Sequence, residues 1–588
     1  MSKFGGYFSL QDNINKIKKS DSPVDGVISD YYPELSLKIE DADLLLLTRQ
    51  WKNNYDKYLN GESNLKKRQE LNRKYWLGEG GSDLDDILGS NFRKPCVDNL
   101  IFEALETFLA QATKNNPQPV VGSDNTPEGE FIASAIQKIL VYHADRLKFK
   151  LKLKNITRHW SLSLLGMMKV GWSNKQNDLM LKVINPNNLI LDPDANCQEC
   201  DYNGNYIGEY KKEKVKFLIE KFPKFKKEFT EEVNGKLDTE LQYIEWSTPE
   251  YIFWQYKDFI LDKIKTPYWN YEKDVVKDVV DEYGQIIQQT ETITPKNHYE
   301  YPRIMYIPLT VFNLGLHPYD ETNLIEQNIG LQDRVTKWYK QIEKNVENIN
   351  GGWIVSKGRA GLTDQEAALV AQKMQKGGVV AIPDGAPREA IDKFVGSSLP
   401  PDVYNSLQDA RNQLRSIFGT TGLTPQGTMN EQTVRGKIIV KGQDGDRIGS
   451  GIAEYLEQFA DSVFNAMVQM IYVYYDSAKI MQLTGSQIPI DLNKVDKKLS
   501  VSVKEGSLIP KDSMSQRNEA VDLFTAGALD PLTLFEKLEL PDPKGTLQRL
   551  IMWKSNPMSL IGGNTQTAQP QSQPTQQKGS MLNQVPIQ

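Results

Sequence analysis

The segment from Asp320 to Gln432 constrains the fold of this chain most, because it predicts two amphipathic helices joined by a short insert. In its first part, apolar residues recur mostly at intervals of three and four, the spacing of one helical face: Leu324, Leu331, Val335, Trp338, Ile342, Val346 and Ile349. They predict a helix that reaches about Asn350, roughly 45 Å long at ~1.5 Å per residue.

A second amphipathic helix is predicted from Asp402 to Phe418. Its apolar positions alternate at four and three: Val403, Leu407, Ala410, Leu414 and Ile417. Its other faces carry polar side chains: Asn405, Gln408, Arg411, Asn412 and Arg415. One face is therefore expected to pack against apolar residues and the other to meet water.

The insert between the two helices, Gly351 to Pro400, is predicted to be a compact αβ unit. Its pattern indicates a strand, a helix and a return strand, at Trp353–Val355, Thr363–Lys376 and Val379–Ile382. Thr363 and Glu366 have the spacing of a capping box, which favours a helix start there. The glycines that follow Lys376 are typical of a helix end.

A loop is predicted after the second helix, from Gly419 to Gln432, because its sequence GTTGLTPQGTMNEQ favours neither helix nor strand. Another long helix is expected to begin near Glu431. Its face from Ile448 to Tyr474 is too apolar to stay exposed, and we expect a ring of subunits to bury it. The order helix, insert, helix and loop favours a ring-shaped channel over an enzyme cleft.

The part of the chain before Asp320 predicts a mixture of helices and strands, so the expected fold class is mixed α+β. Helices are predicted over 97–112 and 151–165, and the segments 167–172 and 179–184 are expected to pair as strands. A basic helix is predicted from Lys211 to Lys227. The segment from Leu241 to Val311 is rich in Tyr, Trp and Ile, which favours strands.

Composition indicates a soluble protein of two to four domains, with 588 residues, 39% hydrophobic and 25% charged. We expect no secretion signal, and the longest apolar stretch, Val463 to Tyr475, is too short and too polar to span a bilayer. The net charge of −6 argues against coating of nucleic acid by lysine and arginine but is compatible with a conduit. Three cysteines suit a reducing compartment.

No cofactor, metal or catalytic motif is predicted. Asp444-Gly445-Asp446 begins like a calcium loop, but Tyr455 stands where the closing Glu is needed. Cys197 and Cys200 form a single CxxC without a second ligand pair, so free thiols are expected. Phosphate-loop, GxSxG and HExxH motifs do not occur in the sequence. The chain is expected not to be an enzyme, with a metal-dependent nucleic-acid enzyme as a remote alternative.

Several segments together resemble the portal proteins of tailed bacteriophages. The run from Arg93 to Asn99 before an apolar helix, the strand from Gly166 to Trp172 and the turn from Pro186 to Pro193 resemble the portal wing. The downstream helix, insert, helix, loop and long helix are similar to the stem, clip, stem, tunnel loop and wing helix of that family. The resemblance spans roughly Trp51 to Trp553 and depends on the order of these features rather than on one motif.

The resemblance implies a portal-type division of the chain: extension 1–50, wing 51–319, first stem helix 320–350, clip 351–400, second stem helix 401–418, tunnel loop 419–432, long wing helix and return 433–499, crown-like region 500–555, and a Gln/Pro-rich tail 556–588 expected to be disordered. It also implies a closed ring of about twelve subunits at one capsid vertex of the virion, assembled in the host cytoplasm. Double-stranded DNA would pass through this ring, and the terminase, capsid and tail adaptor proteins would bind it. A head–tail adaptor is the alternative.

The resemblance also implies two groups of site residues. Residues expected to face DNA in the channel are Arg411, Arg415, Thr420, Thr421, Thr424, Gln426 and Thr428. Residues expected to contact partners from the clip are Lys357, Arg359, Asp364, Lys373, Asp384 and Arg388. Two alternatives stay open: the arginines pair with Asp409 or with a neighbouring subunit, and the clip charges are ordinary solvated side chains.

Overall fold

The structure is a computed structural model of the full chain. It describes residues 37–61, 64–79, 98–123, 126–173, 176–269, 273–280, 286–293, 297–349, 352–355, 361–375, 391–394, 400–420, 449–475, 477–485, 499–504, 520–538, 540 and 542–555. These residues form a mixed α+β fold, as the sequence predicts.

Helices and strands alternate along much of the described chain. In chain order the elements are α1 (Asp41–Leu59), α2 (Leu65–Trp76), α3 (Leu100–Ala112), β1 (Pro119–Gly122), α4 (Pro127–Arg146), α5 (Phe149–Ser163), β2 (Gly166–Ser173), β3 (Asp178–Ile184), β4 (Leu189–Leu191), β5 (Ile207–Lys214), α6 (Val215–Lys221), α7 (Lys226–Glu232), β6 (Glu240–Ser247), β7 (Tyr251–Tyr256), β8 (Phe259–Lys265), β9 (Lys273–Val280), β10 (Ile286–Ile293), β11 (Tyr306–Leu309), α8 (Leu324–Ile349), β12 (Gly352–Val355), α9 (Asp364–Gln375), β13 (Ile391–Phe394), α10 (Pro401–Phe418), α11 (Glu454–Tyr474), α12 (Ser477–Thr484), β14 (Ser500–Val503), α13 (Pro531–Lys537) and α14 (Pro543–Ser555).

The strands pair in antiparallel sheets. One sheet has five strands in the order β4-β5-β6-β7-β8, and a second has three in the order β11-β2-β3. Two-stranded pairs join β1 to β14, β9 to β10 and β12 to β13. The predicted β2–β3 hairpin is confirmed, with Met167 opposite Ile184 and Trp172 opposite Leu179.

The helices predicted near α3 and α5 are confirmed, and their apolar faces form the core. The Asn99 side chain caps α3 by accepting a hydrogen bond from the amide of Phe102 at 3.1 Å. Strand β2 begins at Gly166, where an added Cβ would lie 2.5 Å from Ile156 Cγ2 and 2.8 Å from the Ile156 carbonyl oxygen. Only glycine permits α5 and β2 to approach so closely.

The apolar face of α11 is buried inside one chain, so the expectation that a ring buries it is wrong. Phe459, Val463, Phe464 and Met467 are completely buried in the main core cluster. Helix α11 packs on β2, β11, β14 and α4. These contacts come from distant parts of the sequence, which the helical period cannot reveal.

The prediction of a basic helix from Lys211 to Lys227 is wrong at the start of this segment. Residues up to Lys214 belong to β5, which pairs with β6, and a helix runs only from Val215 to Lys221. The lysine Nζ of Lys211 lies 2.5 Å from Glu245 of β6. The extended conformation of Lys211 to Lys214 is held by the antiparallel ladder of β5 with β6, to which this diagonal charge pair adds.

The chain divides into two compact units, Met1–Ile509 and Pro510–Gln588. In the second unit, α13 and α14 pack against each other, and Asp530 caps α13 through the amides of Leu532 and Thr533 at 3.1 Å. None of the helices within the described ranges is long and apolar enough to cross a membrane.

Candidate functional site

Helices α8 and α10 form a hairpin that carries the insert. The two helices pack directly against each other, and Arg411 Nη1 donates to Tyr339 Oη at 3.2 Å. Val346 on α8 and Tyr404 on α10 each lie about two turns closer to the insert than this contact. Their side chains are 55% and 50% exposed, whereas Leu414, toward the other end of α10, is completely buried. The hairpin therefore has a buried base and, near its tip, two large apolar side chains that are exposed.

A single side chain of α8 holds the start of α3. Gln332 Oε1 accepts hydrogen bonds from the amides of Leu100 and Ile101 at 3.1 and 3.3 Å, and Gln332 Nε2 donates to the Asp98 carbonyl oxygen at 2.7 Å. These are amide groups that a helix start leaves without internal partners. Sequence reasoning missed Gln332, because glutamine on the polar side of a helix carries no distinctive pattern.

Helix α2 also anchors the base of α8. Arg68 forms a two-point ion pair with Glu326, at 2.9 and 2.8 Å, and Tyr75 Oη donates to Asp333 at 2.7 Å. A bidentate arginine–carboxylate pair restricts both distance and angle. The hairpin base is therefore held by directional polar contacts as well as by apolar packing.

The two arginines expected to face the channel are engaged inside the chain. Arg411 pairs with Asp98 at 2.8 Å, and Arg415 pairs with Glu103 at 3.1 Å, with only 3% of the Arg415 side chain exposed. The prediction that both lie on a water-facing surface is wrong for Arg415, because α3 covers that side of α10. The partners are residues of α3 or directly before it, rather than Asp409.

The other residues expected in the channel are mostly outside the described residues. Thr420 is described and completely buried, and its amide donates to the Arg415 carbonyl oxygen at 2.9 Å, closing the end of α10. Because Thr420 is buried within the chain, the expectation that it faces DNA in a channel does not fit the structure. Thr421, Thr424, Gln426 and Thr428 lie outside the described residues.

The insert contains a strand pair and a helix. Strand β12 pairs with β13, so the described return strand is Ile391–Phe394, which the sequence reasoning missed; the predicted strand Val379–Ile382 lies outside the described residues. Helix α9 packs on β12. Thr363 donates to the Glu366 carboxylate through its amide at 2.9 Å and its hydroxyl at 2.7 Å, which confirms the Glu366 side of the capping box.

Two of the six expected clip contact residues are described. Asp364 and Lys373 lie at opposite ends of α9, and both are exposed. Lys357, Arg359, Asp384 and Arg388 lie outside the described residues. Helix α9 also exposes Leu369, so its outer face combines apolar and charged groups.

Asp320 lies at the joint between the sheets and the hairpin. Its buried carboxylate accepts hydrogen bonds from the Trp160 indole nitrogen and from the amide of Val311, at 3.1 Å for the latter. Burial raises the pKa of Asp320 to about 7. Three residues later, Asn323 caps α8 through the amide of Glu326 at 2.8 Å and donates to the Ser161 carbonyl oxygen at 2.7 Å.

Cys197 and Cys200 are free, buried thiols. Burial raises the pKa of both thiols, that of Cys200 to about 12, so neither is an activated thiolate. Across the ranges that the structure describes, no group of three or more His, Cys, Asp or Glu residues is placed to hold a metal ion.

Comparison with known proteins identifies no family for this chain. No protein-family model matches it, and no curated protein matches it. Among solved structures, the neck of a native gene transfer agent particle, computed with C12 symmetry, shares 8% identity over 75% of this chain and 90% of that chain, with a TM-score of 0.32. The virion of a native gene transfer agent particle shares 9% identity over 80% and 93%, with a TM-score of 0.33. Similarities this low carry no argument about function.

Proposed function

We propose that this chain is a portal-type subunit, which assembles into a ring at one capsid vertex and forms a channel for DNA. The observation that supports this proposal best is the hairpin of α8 and α10. Its base is held by polar contacts and buried packing, while its tip exposes Val346 and Tyr404 beside an αβ insert. Contacts between neighbouring copies would remove these apolar side chains from water.

In this proposal the insert is the docking surface for partner proteins. Helix α9 would contact the terminase during packaging and the tail adaptor afterwards, with Asp364 and Lys373 in contact with these partners. Capsid proteins would surround the ring, which would have about twelve copies. The chain itself would not hydrolyse ATP, so a separate motor would move the DNA.

Electron microscopy of the purified protein tests the proposal. We expect negatively stained particles to show rings with a central hole, and a label on the subunit to lie at a single vertex of assembled particles. Monomers at every protein concentration would contradict the ring. A label found only on the tail side of the vertex would instead favour a head–tail adaptor.

A further inference from the structure

A small basic pocket lies at the opposite end of α3 from the hairpin. The C-terminal ends of α3 and α4 and the first turn of α5 border an open, shallow pocket of about 330 Å³. Lys148, Lys150 and Lys154 line it, together with Asp145 and the exposed side chain of Leu151. Helix α3 has 13 residues, so the pocket is roughly 20 Å from the contacts with α10.

The carboxylates around this pocket already have partners. Asp145 accepts a hydrogen bond from Asn116 Nδ2 at 2.8 Å. Lys154 lies 3.9 Å from Glu106, which Arg158 holds through two closer contacts at 2.9 and 2.8 Å. Three lysines but only one carboxylate, Asp145, line the pocket, so its net charge is positive.

Lys148 and Lys150 are the two exposed lysines of the pocket. Within the part of the chain that the structure describes, no carboxylate lies within 4.0 Å of either side chain amine. Both lie at the start of α5, whose first turn contains no acidic residue. Because the start of a helix carries partial positive charge, lysines at this position repel the helix dipole as well as each other. An anion bound there would relieve both repulsions.

We infer that this pocket binds the phosphodiester backbone of DNA. Lysine amines are point charges that contact phosphate groups without reading base sequence. Leu151, 55% exposed at the pocket edge, offers an apolar surface for the sugar beside a phosphate. The choice of DNA over another phosphate-bearing chain rests on the proposed function. The pocket is far from α10, so it would hold DNA that is not moving between the hairpins.

Salt-dependent DNA binding tests this inference. The variant Lys148→Gln/Lys150→Gln removes two charges without reversing the sign, and Lys67→Gln/Lys236→Gln removes two exposed charges elsewhere. Fluorescence anisotropy with labelled duplex DNA gives the slope of log affinity against log salt concentration. We expect the pocket variant to reduce this slope by about two and the affinity at low salt by roughly tenfold, since each neutralised phosphate contributes ~0.9. The control variant is expected to keep the wild-type slope.

A conservative variant, thermal unfolding and competing anions identify the ligand and exclude misfolding. Lys148→Arg/Lys150→Arg is expected to restore binding, and thermal unfolding should be the same for all variants. Inorganic phosphate and polyglutamate, matched for ionic strength, are expected to compete poorly. A pocket variant with the wild-type slope overturns the inference, and so does polyglutamate that displaces DNA at equal charge, which would indicate an acidic protein partner. Loss of inorganic phosphate binding without a change in DNA binding would indicate a small-anion site and also overturns it.

Images of the same preparations separate this inference from the proposed function. If the wild-type protein forms no rings although the pocket variant loses affinity for DNA, that result contradicts the portal proposal but supports the pocket as a DNA-binding site. If the wild-type protein forms rings and the pocket variant keeps the wild-type salt slope for DNA binding, only the inference about the pocket is contradicted.

Discussion

At the scale of single residues, Asp320 is the most unusual group of the joint that leads into the hairpin. Asp320 is only 2% exposed, and the neighbouring Glu321 carboxylate adds to the effect of burial by raising its pKa. Hydrogen bonds from Trp160 and the backbone stabilise the charged form, but burial has the larger effect on the pKa. The folded state therefore holds a proton on Asp320 at a pH where the unfolded chain has lost it.

We predict that Asp320→Asn changes how stability depends on pH. The folded pKa of about 7 lies above the ordinary value of 3.8, so Asp320 favours folding at low pH, and this contribution is lost as pH rises from about 4 to 7. The loss is on the order of 4 kcal/mol, at 1.36 kcal/mol per pKa unit. Denaturant unfolding of both proteins should show the stability of the variant relative to wild type rising over this interval. If the unfolding free energies of the two proteins change with pH in parallel, the raised pKa of Asp320 is contradicted.

At the scale of elements, the hairpin divides its apolar residues between folding and assembly. Val335 and Leu414 are completely buried within one chain, whereas Val346 and Tyr404 near the insert are exposed. The helical period gives one apolar stripe on each helix and does not divide it between these two uses. The structure makes the division, because α3 and the rest of the core cover the base of the hairpin.

This division predicts opposite results for two aspartate substitutions. Leu414→Asp places a charge in the core, at a cost of roughly 4 kcal/mol, and is expected to unfold the hairpin base within each monomer. Val346→Asp changes an exposed position, so the free energy of unfolding of the monomer is expected to stay within ~0.5 kcal/mol of wild type while rings are lost. Gel filtration measures ring assembly, and thermal unfolding followed by circular dichroism measures the stability of the monomer. If the Val346→Asp variant forms rings of wild-type size, the hairpin tip is not part of the interface between subunits.

At the scale of the whole molecule, β14 closes the first unit. It pairs with β1 in antiparallel register, Val501 opposite Val121, and it packs on α11. Val501 and Val503 face the core and are buried. A segment near the end of the first unit thus completes a strand pair begun almost 400 residues earlier in the sequence, at about residue 120.

Two truncations test this closure. A chain that ends at Ile509 retains β14, and we expect it to keep the unfolding temperature of the first unit. A chain that ends at Leu499 leaves β1 without its partner and exposes the apolar groups that Val501 and Val503 cover, a loss on the order of 3 kcal/mol. Differential scanning calorimetry compares the two. Equal unfolding temperatures would show that β14 does not stabilise the unit.

The sequence by itself determined the local elements whose period is strong. The helical faces of α3, α8 and α10, the β2–β3 hairpin and the capping box at Thr363 follow from spacing within a short stretch of chain. The helix–insert–helix order of the candidate site could also be predicted, since it requires only these local patterns. Strand β13 was missed because its four residues, IDKF, include two charged side chains and lack the apolar run that indicated a strand at Trp353–Val355.

Only the tertiary structure decided which faces are covered and by what. The period of α10 placed Arg415 outside the apolar stripe, but Glu103 of α3 lies beside it, and the arginine is buried in an ion pair. Lys211 belongs to β5 because it pairs there with Tyr243 of β6, and Gln332 acts as a cap because α3 begins beside it. Each partner is distant in sequence, and a long-range contact leaves no trace in the spacing of either segment, so periodicity can assign an element but not its neighbours.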